Sequence, residues 1–235
     1  MTSQASLGRV DRTARAGRRL TPVRLLLPLG WLLAAVGYYG PWISHPAAAL
    51  TLSGVDLAEF VKFLPGVVNG SLKVARQSFY LPPISVVASV ALLIGARRLR
   101  YPWPLRLLVL GLAVPVSMQL LPPAWSPSSL MSAEFRLQTI ALGICWLLLG
   151  GFWLLGRLPP WLSGSVSAVL SVAAMGFSAW QFWAVKPGID AVYGSPPSVG
   201  WGFYLCMAGL ATLVTGCAIL ILRTRTQGRE PWTGL

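Results

Sequence analysis

The feature that most constrains this chain is where its charged residues stand relative to its apolar residues. Six long apolar runs cover residues 20–43, 79–96, 102–121, 137–156, 161–185 and 199–222. No Asp, Glu, Lys, Arg or His lies in the central part of any run. A transmembrane α-helix needs about 20 consecutive apolar residues to cross a hydrocarbon core about 30 Å thick. The pattern therefore predicts an all-α integral membrane protein with about six transmembrane helices.

Composition agrees with that prediction. The chain is 55% hydrophobic and only 11% charged, whereas an ordinary soluble domain has about 25% charged residues. No separate soluble domain is expected. The three cysteines, Cys145, Cys206 and Cys217, all fall inside apolar runs and form no C-x-x-C pair. This favours small buried side chains over a metal site or a disulfide.

The distribution of the basic residues predicts the topology. Fourteen of the 19 basic residues fall on the side that holds both termini, which the positive-inside rule assigns to the cytoplasm. We therefore expect a basic cytoplasmic tail over residues 1–19, a membrane domain over 20–222 and a second cytoplasmic tail over 223–235. The fourteen residues are Arg9, Arg12, Arg15, Arg18, Arg19, Arg24, Arg97, Arg98, Arg100, Arg106, Arg157, Arg223, Arg225 and Arg229.

The net charge of +13 does not indicate nucleic-acid binding. The basic residues stand at the ends of apolar runs, where anionic lipid and membrane topology explain them. The expected partners are the lipid bilayer and other membrane proteins, with no nucleic acid. The Arg-rich, Lys-poor composition is typical of a high-GC bacterium, so we expect a multi-pass protein of the bacterial cytoplasmic (inner) membrane.

The longest internal segment outside the runs is the expected extracytoplasmic loop, residues 44–78. It contains a predicted amphipathic helix over residues 54–64, and Ser53 with Asp56 resembles a capping box before it. The helix is too short to cross a membrane. It is either a docking element for a partner or a lid over the bundle. Its candidate docking residues are Asp56 and Glu59 on the charged face and Phe60 and Leu64 on the apolar face.

Small residues recur along one face of the fifth run, at spacings of three and four, and along one face of the sixth. We predict that these two runs pack together through the small faces, because small residues let helix backbones approach and hydroxyls bond across. The alternative is a polar path for a small neutral solute. The candidate packing residues are Gly164, Ser167, Ser171, Ser178, Gly202, Gly209 and Gly216.

No catalytic constellation is visible, so neither an enzyme activity nor a cofactor is predicted. Ion-coupled transporters and proton relays place a charged group deep in the membrane, and intramembrane metalloproteases carry two histidines on one helix. The only histidine, His45, lies in the extracytoplasmic loop. It could ligate a haem iron or a chlorophyll magnesium, but a solvated loop residue without a ligand is expected.

The sequence favours a non-enzymatic subunit or auxiliary component of a larger membrane complex. A permease or channel-like carrier for a neutral or lipidic solute is the alternative from another class. A membrane enzyme that uses Asp56, Glu59 or His45 at the interface is the least favoured interpretation.

Overall fold

A computed structural model describes residues 21–47, 50–122, 125–193 and 196–227. Helices dominate this part of the chain. They are α1 (Thr21–Tyr39), α2 (Gly54–Phe60), α3 (Pro65–Val68), α4 (Leu81–Ile94), α5 (Trp103–Met118), α6 (Pro127–Leu130), α7 (Arg136–Gly150), α8 (Phe152–Leu155), α9 (Pro160–Tyr193) and α10 (Trp201–Gln227). The short strands are β1 (Pro41–Ser44), β2 (Leu52–Ser53) and β3 (Ser198–Val199), and the 3-10 helices are Val61–Phe63 and Arg76–Tyr80.

In the described part of the chain, four helical segments are long and apolar enough to cross a membrane, which agrees with the predicted helical membrane protein. They are Pro22–Tyr39, Arg76–Ile94, Pro160–Tyr193 and Trp201–Thr226. Helices α5 and α7 are also apolar but have only 16 and 15 residues. At 1.5 Å per residue they extend about 24 and 22 Å, which is less than a hydrocarbon core of about 30 Å.

Helix α4 lies at the centre of the bundle. Twelve of its 14 residues are buried, and it contacts α1, α5, α7, α8 and α9. Its two serines have hydrogen-bond partners, as buried polar groups require. The hydroxyl of Ser89 accepts from the indole N–H of Trp31 at 2.9 Å, and the hydroxyls of Ser85 and Ser171 are 3.0 Å apart. The absence of charged residues from α4 lets other helices cover all its sides.

Helices α1 and α10 are antiparallel and pack backbone to backbone. A Cβ atom at Gly209 would overlap the backbone of Ala34, and one at Gly37 would overlap the backbone of Cys206. Because these positions lack large side chains, the helices approach closely without a ridge between them. The same register holds along the helices, with Gly202 against Gly40, Gly209 against Ala34 and Gly216 against Leu27.

The fifth and sixth runs pack against each other as α9 and α10, but most of the small residues predicted to meet face other neighbours. The glycines of α10 face α1, whereas the serines of α9 face α4 and the 3-10 helix before it. Gly164 is the member of the α9 stripe that lies against α10, where an added Cβ would be 3.2 Å from Ile221 Cγ1. A small-residue face favours a close neighbour, but it does not specify which helix that neighbour is.

Helix α9 is longer than the sequence predicts. The fifth apolar run was expected to end at residue 185, but α9 continues through Pro187 to Tyr193. Buried Val185 and Ile189 hold this last part against the protein. With 34 residues, α9 extends about 51 Å at 1.5 Å per residue. Its final turns therefore belong to the structure beyond the end of the bundle.

A small antiparallel sheet, in the order β2-β1-β3, covers the end of the bundle where α1 ends. Ile43 pairs with Leu52 on one side and with Val199 on the other. The sheet was not predicted, because strands of four, two and two residues are too short to show an alternating pattern. We call this end of the bundle the cap end, and the opposite end, where α1 begins, the basic end.

Replacement of Gly209 by leucine should destabilise the protein, because the side chain would force α10 away from α1. We expect a loss of about 2 kcal/mol, typical of overpacking, and a fall in Tm of about 5 °C for a chain of this size. Thermal unfolding in a mild detergent measures this. Ala211→Leu, at an exposed position of the same helix, is the matched control. Equal Tm values for the two variants would contradict the contact.

Candidate functional site

The segment predicted as an amphipathic helix begins at a capping box. The amide of Asp56 donates to Ser53 Oγ at 3.3 Å, and the amide of Ser53 donates to Asp56 Oδ2 at 2.9 Å. Helix α2 ends at Phe60, and the 3-10 helix Val61–Phe63 follows. The helical segment is therefore split where a single helix was expected. The Asp56 carboxylate therefore already accepts a hydrogen bond at the start of α2.

The apolar face of this segment packs on the protein's own bundle. Leu57 and Leu64 are fully buried. Leu64 lies beside Gly188 of α9, and the ring of half-buried Phe60 is 6.3 Å from the ring of Tyr193. Burial of each large apolar side chain stabilises this position by about 1.5–3 kcal/mol. The segment covers the cap end of the bundle, while its role in docking a partner stays a prediction.

Four charged side chains form a cluster on the cap, and we call this set the charge cluster. It joins Glu59 and Lys62 of the α2 segment to Arg76 and to Glu134, which precedes α7. Lys62 Nζ donates to Glu134 Oε1 at 2.8 Å, and Arg76 lies 3.1 Å from the same oxygen. Arg76 is also 3.7 Å from Glu59. Two acids and two bases cancel, so the cluster presents no net charge to a partner.

Neighbouring groups reinforce the charge cluster. The Arg76 guanidinium donates to the Glu134 carbonyl oxygen at 2.7 Å, and the Tyr80 hydroxyl donates to Glu59 Oε1 at 2.9 Å. The ring of Phe135 lies 5.4 Å from each cation, within the range of a cation–π contact. The cluster therefore fixes the α2 segment to the start of α7, which is far away in sequence.

The charge cluster also shifts the pKa values of two of its members, Lys62 and Glu134. The hydrogen bond from Lys62 lowers the pKa of Glu134, although burial opposes this. Burial would lower the pKa of Lys62, but the hydrogen bonds and charges of Glu134 and Glu59 together raise it. Both shifts favour the charged forms. Lys62 and Glu134 are therefore both charged at neutral pH.

His45 lies on the cap, at the end of β1. Its Nδ1 accepts from the amide of Ala47 at 3.1 Å, and its ring centroid is 5.5 Å from that of Tyr193. Among the described residues there is no group of three or more His, Cys, Asp or Glu side chains that could hold a metal ion. The contacts of His45 with Ala47 and Tyr193 are therefore contacts within the cap.

The serine stripe of α9 makes bonds between helices. Ser171 shares a bond with Ser85 of α4, and the Ser178 hydroxyl donates to the carbonyl oxygen of Ser78 at 2.7 Å. Ser167 is fully buried, and its hydroxyl has no partner among the described residues. The stripe holds α9 against α4. Sequence reasoning found the stripe but missed Ser85, because two serines among apolar residues carry no periodic signal.

An apolar groove opens between α1 and α5. Its volume is about 680 Å³, and α4 forms its floor through Val86 and Val90. At the cap end, the Tyr39 hydroxyl donates to the Pro115 carbonyl oxygen at 2.9 Å and accepts from Gln119 Nε2 at 2.7 Å. This groove could not be predicted from the sequence, because it arises where two helices stay apart rather than where residues meet.

Removal of the Glu134 charge should weaken the cap and change its acid sensitivity. The lowered pKa of Glu134 means that its stabilisation is present above its unfolded pKa of about 4.5 and is lost as the pH falls through the lower folded value. Because the side chain is half exposed, we expect Glu134→Gln to cost about 0.5–1 kcal/mol at pH 7. The difference in Tm from wild type should therefore be smaller at pH 3 than at pH 7.

Thermal unfolding in detergent at pH 7 and pH 3 measures that difference. Lys73→Gln removes an exposed charge outside the charge cluster and should leave Tm unchanged. A Glu134→Gln deficit as large at pH 3 as at pH 7 would contradict the role of its charge.

Comparison with known proteins does not identify this arrangement. No family model, no curated protein and no solved structure matches the chain. The function must therefore be inferred from the cap, the bundle and the exposed helix faces themselves.

Proposed function

We propose that this protein is a non-enzymatic subunit of a larger membrane complex, and that a partner helix binds to α7. The observation that carries the proposal is an exposed face of α7 with two glycines. Its residues follow spacings of three and four, so they lie on one side of the helix. They are Ile140, Gly143, Leu147 and Gly150.

This face has no neighbour within the described part of the chain. Leu147 is 77% exposed and Ile140 is 49% exposed. A Cβ atom added at Gly143 or Gly150 would meet nothing within 4 Å. The other side of α7, with Gln138, Leu142 and Cys145, is buried. Exposed glycines at helical spacing suit the close approach of another transmembrane helix.

The cap supports a non-enzymatic role. The acids that an interfacial enzyme would use are both engaged by the protein itself. Asp56 accepts from the amide of Ser53 in the capping box, and Glu59 accepts from Tyr80 within the charge cluster. A carboxylate that is held by structural hydrogen bonds is poorly placed to exchange protons with a substrate.

The proposal includes six spans in a bacterial cytoplasmic membrane, with α5 and α7 as the two short ones and the basic end in the cytoplasm. The arginines of the basic end support this orientation through the positive-inside rule. Among the described residues they are Arg24, Arg97, Arg98, Arg100, Arg106, Arg157, Arg223 and Arg225.

A carrier for a lipidic molecule is the second candidate function. The observation that favours it is the apolar groove between α1 and α5. Isolation of the protein as a single monodisperse species would favour the carrier, whereas a stable stoichiometric complex would favour the subunit.

Cysteine labelling tests the orientation. The three native cysteines are buried, so a membrane-impermeant thiol reagent should not label the wild-type protein. A cysteine in place of exposed Ser71 should be labelled in intact cells, and one in place of exposed Thr226 should be labelled only after permeabilisation. The reverse pattern would contradict the topology.

Substitution on α7 tests the partner site. Gly143→Leu and Gly150→Leu should release the protein from its complex, because the new side chains would occupy the space of the partner helix. Gly111→Leu is the matched control, since that glycine of α5 is also exposed and its Cβ would meet nothing within 4 Å.

Native gel electrophoresis of membranes solubilised in mild detergent reads out the complex. The wild-type protein and Gly111→Leu should migrate well above the 25.3 kDa chain in its micelle, and the α7 variants should migrate as the single chain. A wild-type protein that migrates as the single chain would overturn the subunit proposal.

A further inference from the structure

The groove between α1 and α5 has the length and lining of a site for a hydrocarbon chain. From Pro28 to Tyr39 it follows α1 for about 17 Å at 1.5 Å per residue, slightly more than half of a hydrocarbon core of about 30 Å. Its walls are apolar side chains, and its volume of about 680 Å³ lies in the ordinary range for a small-molecule site, about 300–1,000 Å³. The lining includes Leu32 and Val36 of α1 and Leu108 and Leu112 of α5.

Two arginines stand where the groove reaches the basic end. Arg24 lies one helical turn before Pro28, on the side of α1 that lines the groove. Arg106 follows the groove residue Leu105 in the first turn of α5. The Nε atoms of both arginines are buried and have no hydrogen-bond partner among the described residues. Buried donors normally have a hydrogen-bond partner. An acceptor from outside the described residues would satisfy these two Nε–H groups.

Tyr101 lies at the same place. Its ring is 6.4 Å from the ring of the groove residue Trp31, and its buried hydroxyl also has no partner among the described residues. Burial raises the pKa of this hydroxyl, and the nearby charge of Arg24 opposes that rise. Two guanidinium donors and one hydroxyl donor therefore border the end of an apolar groove.

Charge complementarity identifies the occupant. Guanidinium groups bind phosphate oxygens through charge-assisted hydrogen bonds, and basic pockets between membrane helices bind anionic lipid headgroups. A partner protein helix would fill the groove but would leave the donors unsatisfied. We propose that the groove binds an anionic phospholipid, with its phosphate at Arg24 and Arg106 and one acyl chain between α1 and α5. This site is separate from the α7 face and does not depend on the subunit proposal.

Lipid binding to the purified full-length protein tests the site. After delipidation in a neutral detergent, the protein is titrated with phosphatidylglycerol or with phosphatidylcholine of the same acyl chains. Native mass spectrometry measures the bound lipid, and thermal unfolding measures its effect. Phosphatidylglycerol should bind at least tenfold more tightly than phosphatidylcholine and should raise Tm. Inorganic phosphate should not raise Tm, because it lacks the acyl chain.

Two sets of variants separate the headgroup from the chain. Arg24→Gln with Arg106→Gln should remove the tenfold preference for phosphatidylglycerol, whereas Arg157→Gln, an exposed arginine of the basic end, should preserve it. Ala35→Phe fills the groove and should weaken binding of both lipids at least tenfold. Ala218→Phe, the same change at an exposed position of α10, should bind lipid as wild type does. Size-exclusion chromatography verifies that each variant is folded.

Several results would overturn the proposal. Equal binding of the two lipids by the wild-type protein would exclude the headgroup site. Equal stabilisation by inorganic phosphate would show a phosphate site without a chain. Dimers that dissociate in Ala35→Phe, without any lipid preference, would assign the groove to a second copy of the chain. None of these results depends on the complex size that tests the α7 face.

Discussion

The backbone contact between α1 and α10 fixes the geometry on which the rest of the structure depends. The register that places Gly209 against Ala34 also places Gly202 against Gly40, at the ends of the two helices. The same register continues into the sheet, where Ile43 pairs with Val199. The β1–β3 pair is thus an extension of the helix pair. The amide of Gly200 donates to the Trp42 carbonyl oxygen at 2.9 Å at the junction between them.

The cap is built on that base from contacts of three kinds. Leu57 and Leu64 bury the apolar side of the α2 segment, the capping box starts its helix, and the charge cluster joins it to the segment before α7. Because α7 follows Glu134 directly, the charge cluster also helps to hold the helix that carries the exposed glycine face.

Several of these features could be predicted from the sequence, because their signals are local. The Ser53 and Asp56 spacing predicted the capping box, and the three-and-four spacing on α9 predicted one buried stripe, whose members Ser171 and Ser178 are both buried. Long apolar runs predicted the helices that can cross a membrane. Each signal depends on residues within a few turns of one another.

The remaining features depend on residues distant in sequence or on empty space. The glycines of α10 predict a close neighbour but not that the neighbour is α1. Lys62 and Glu134 are 72 positions apart. The sequence around each charged residue does not indicate which distant residue it will contact. Proline usually ends a helix, so the apolar run does not predict that α9 continues through Pro187, where buried Val185 and Ile189 hold it against the protein. The groove follows from the separation of α1 and α5.

The enclosed position of α4 has a consequence for the order of assembly during synthesis. Ser85 is made 86 positions before Ser171, the residue that shares its hydrogen bond. Ser89 accepts its hydrogen bond from Trp31, which has already been synthesised when α4 leaves the ribosome. The first two long helices can therefore associate at once, while one side of α4 waits for α9. The bundle closes around its centre only late in translation, and nascent chains that end before α9 leave that centre facing lipid.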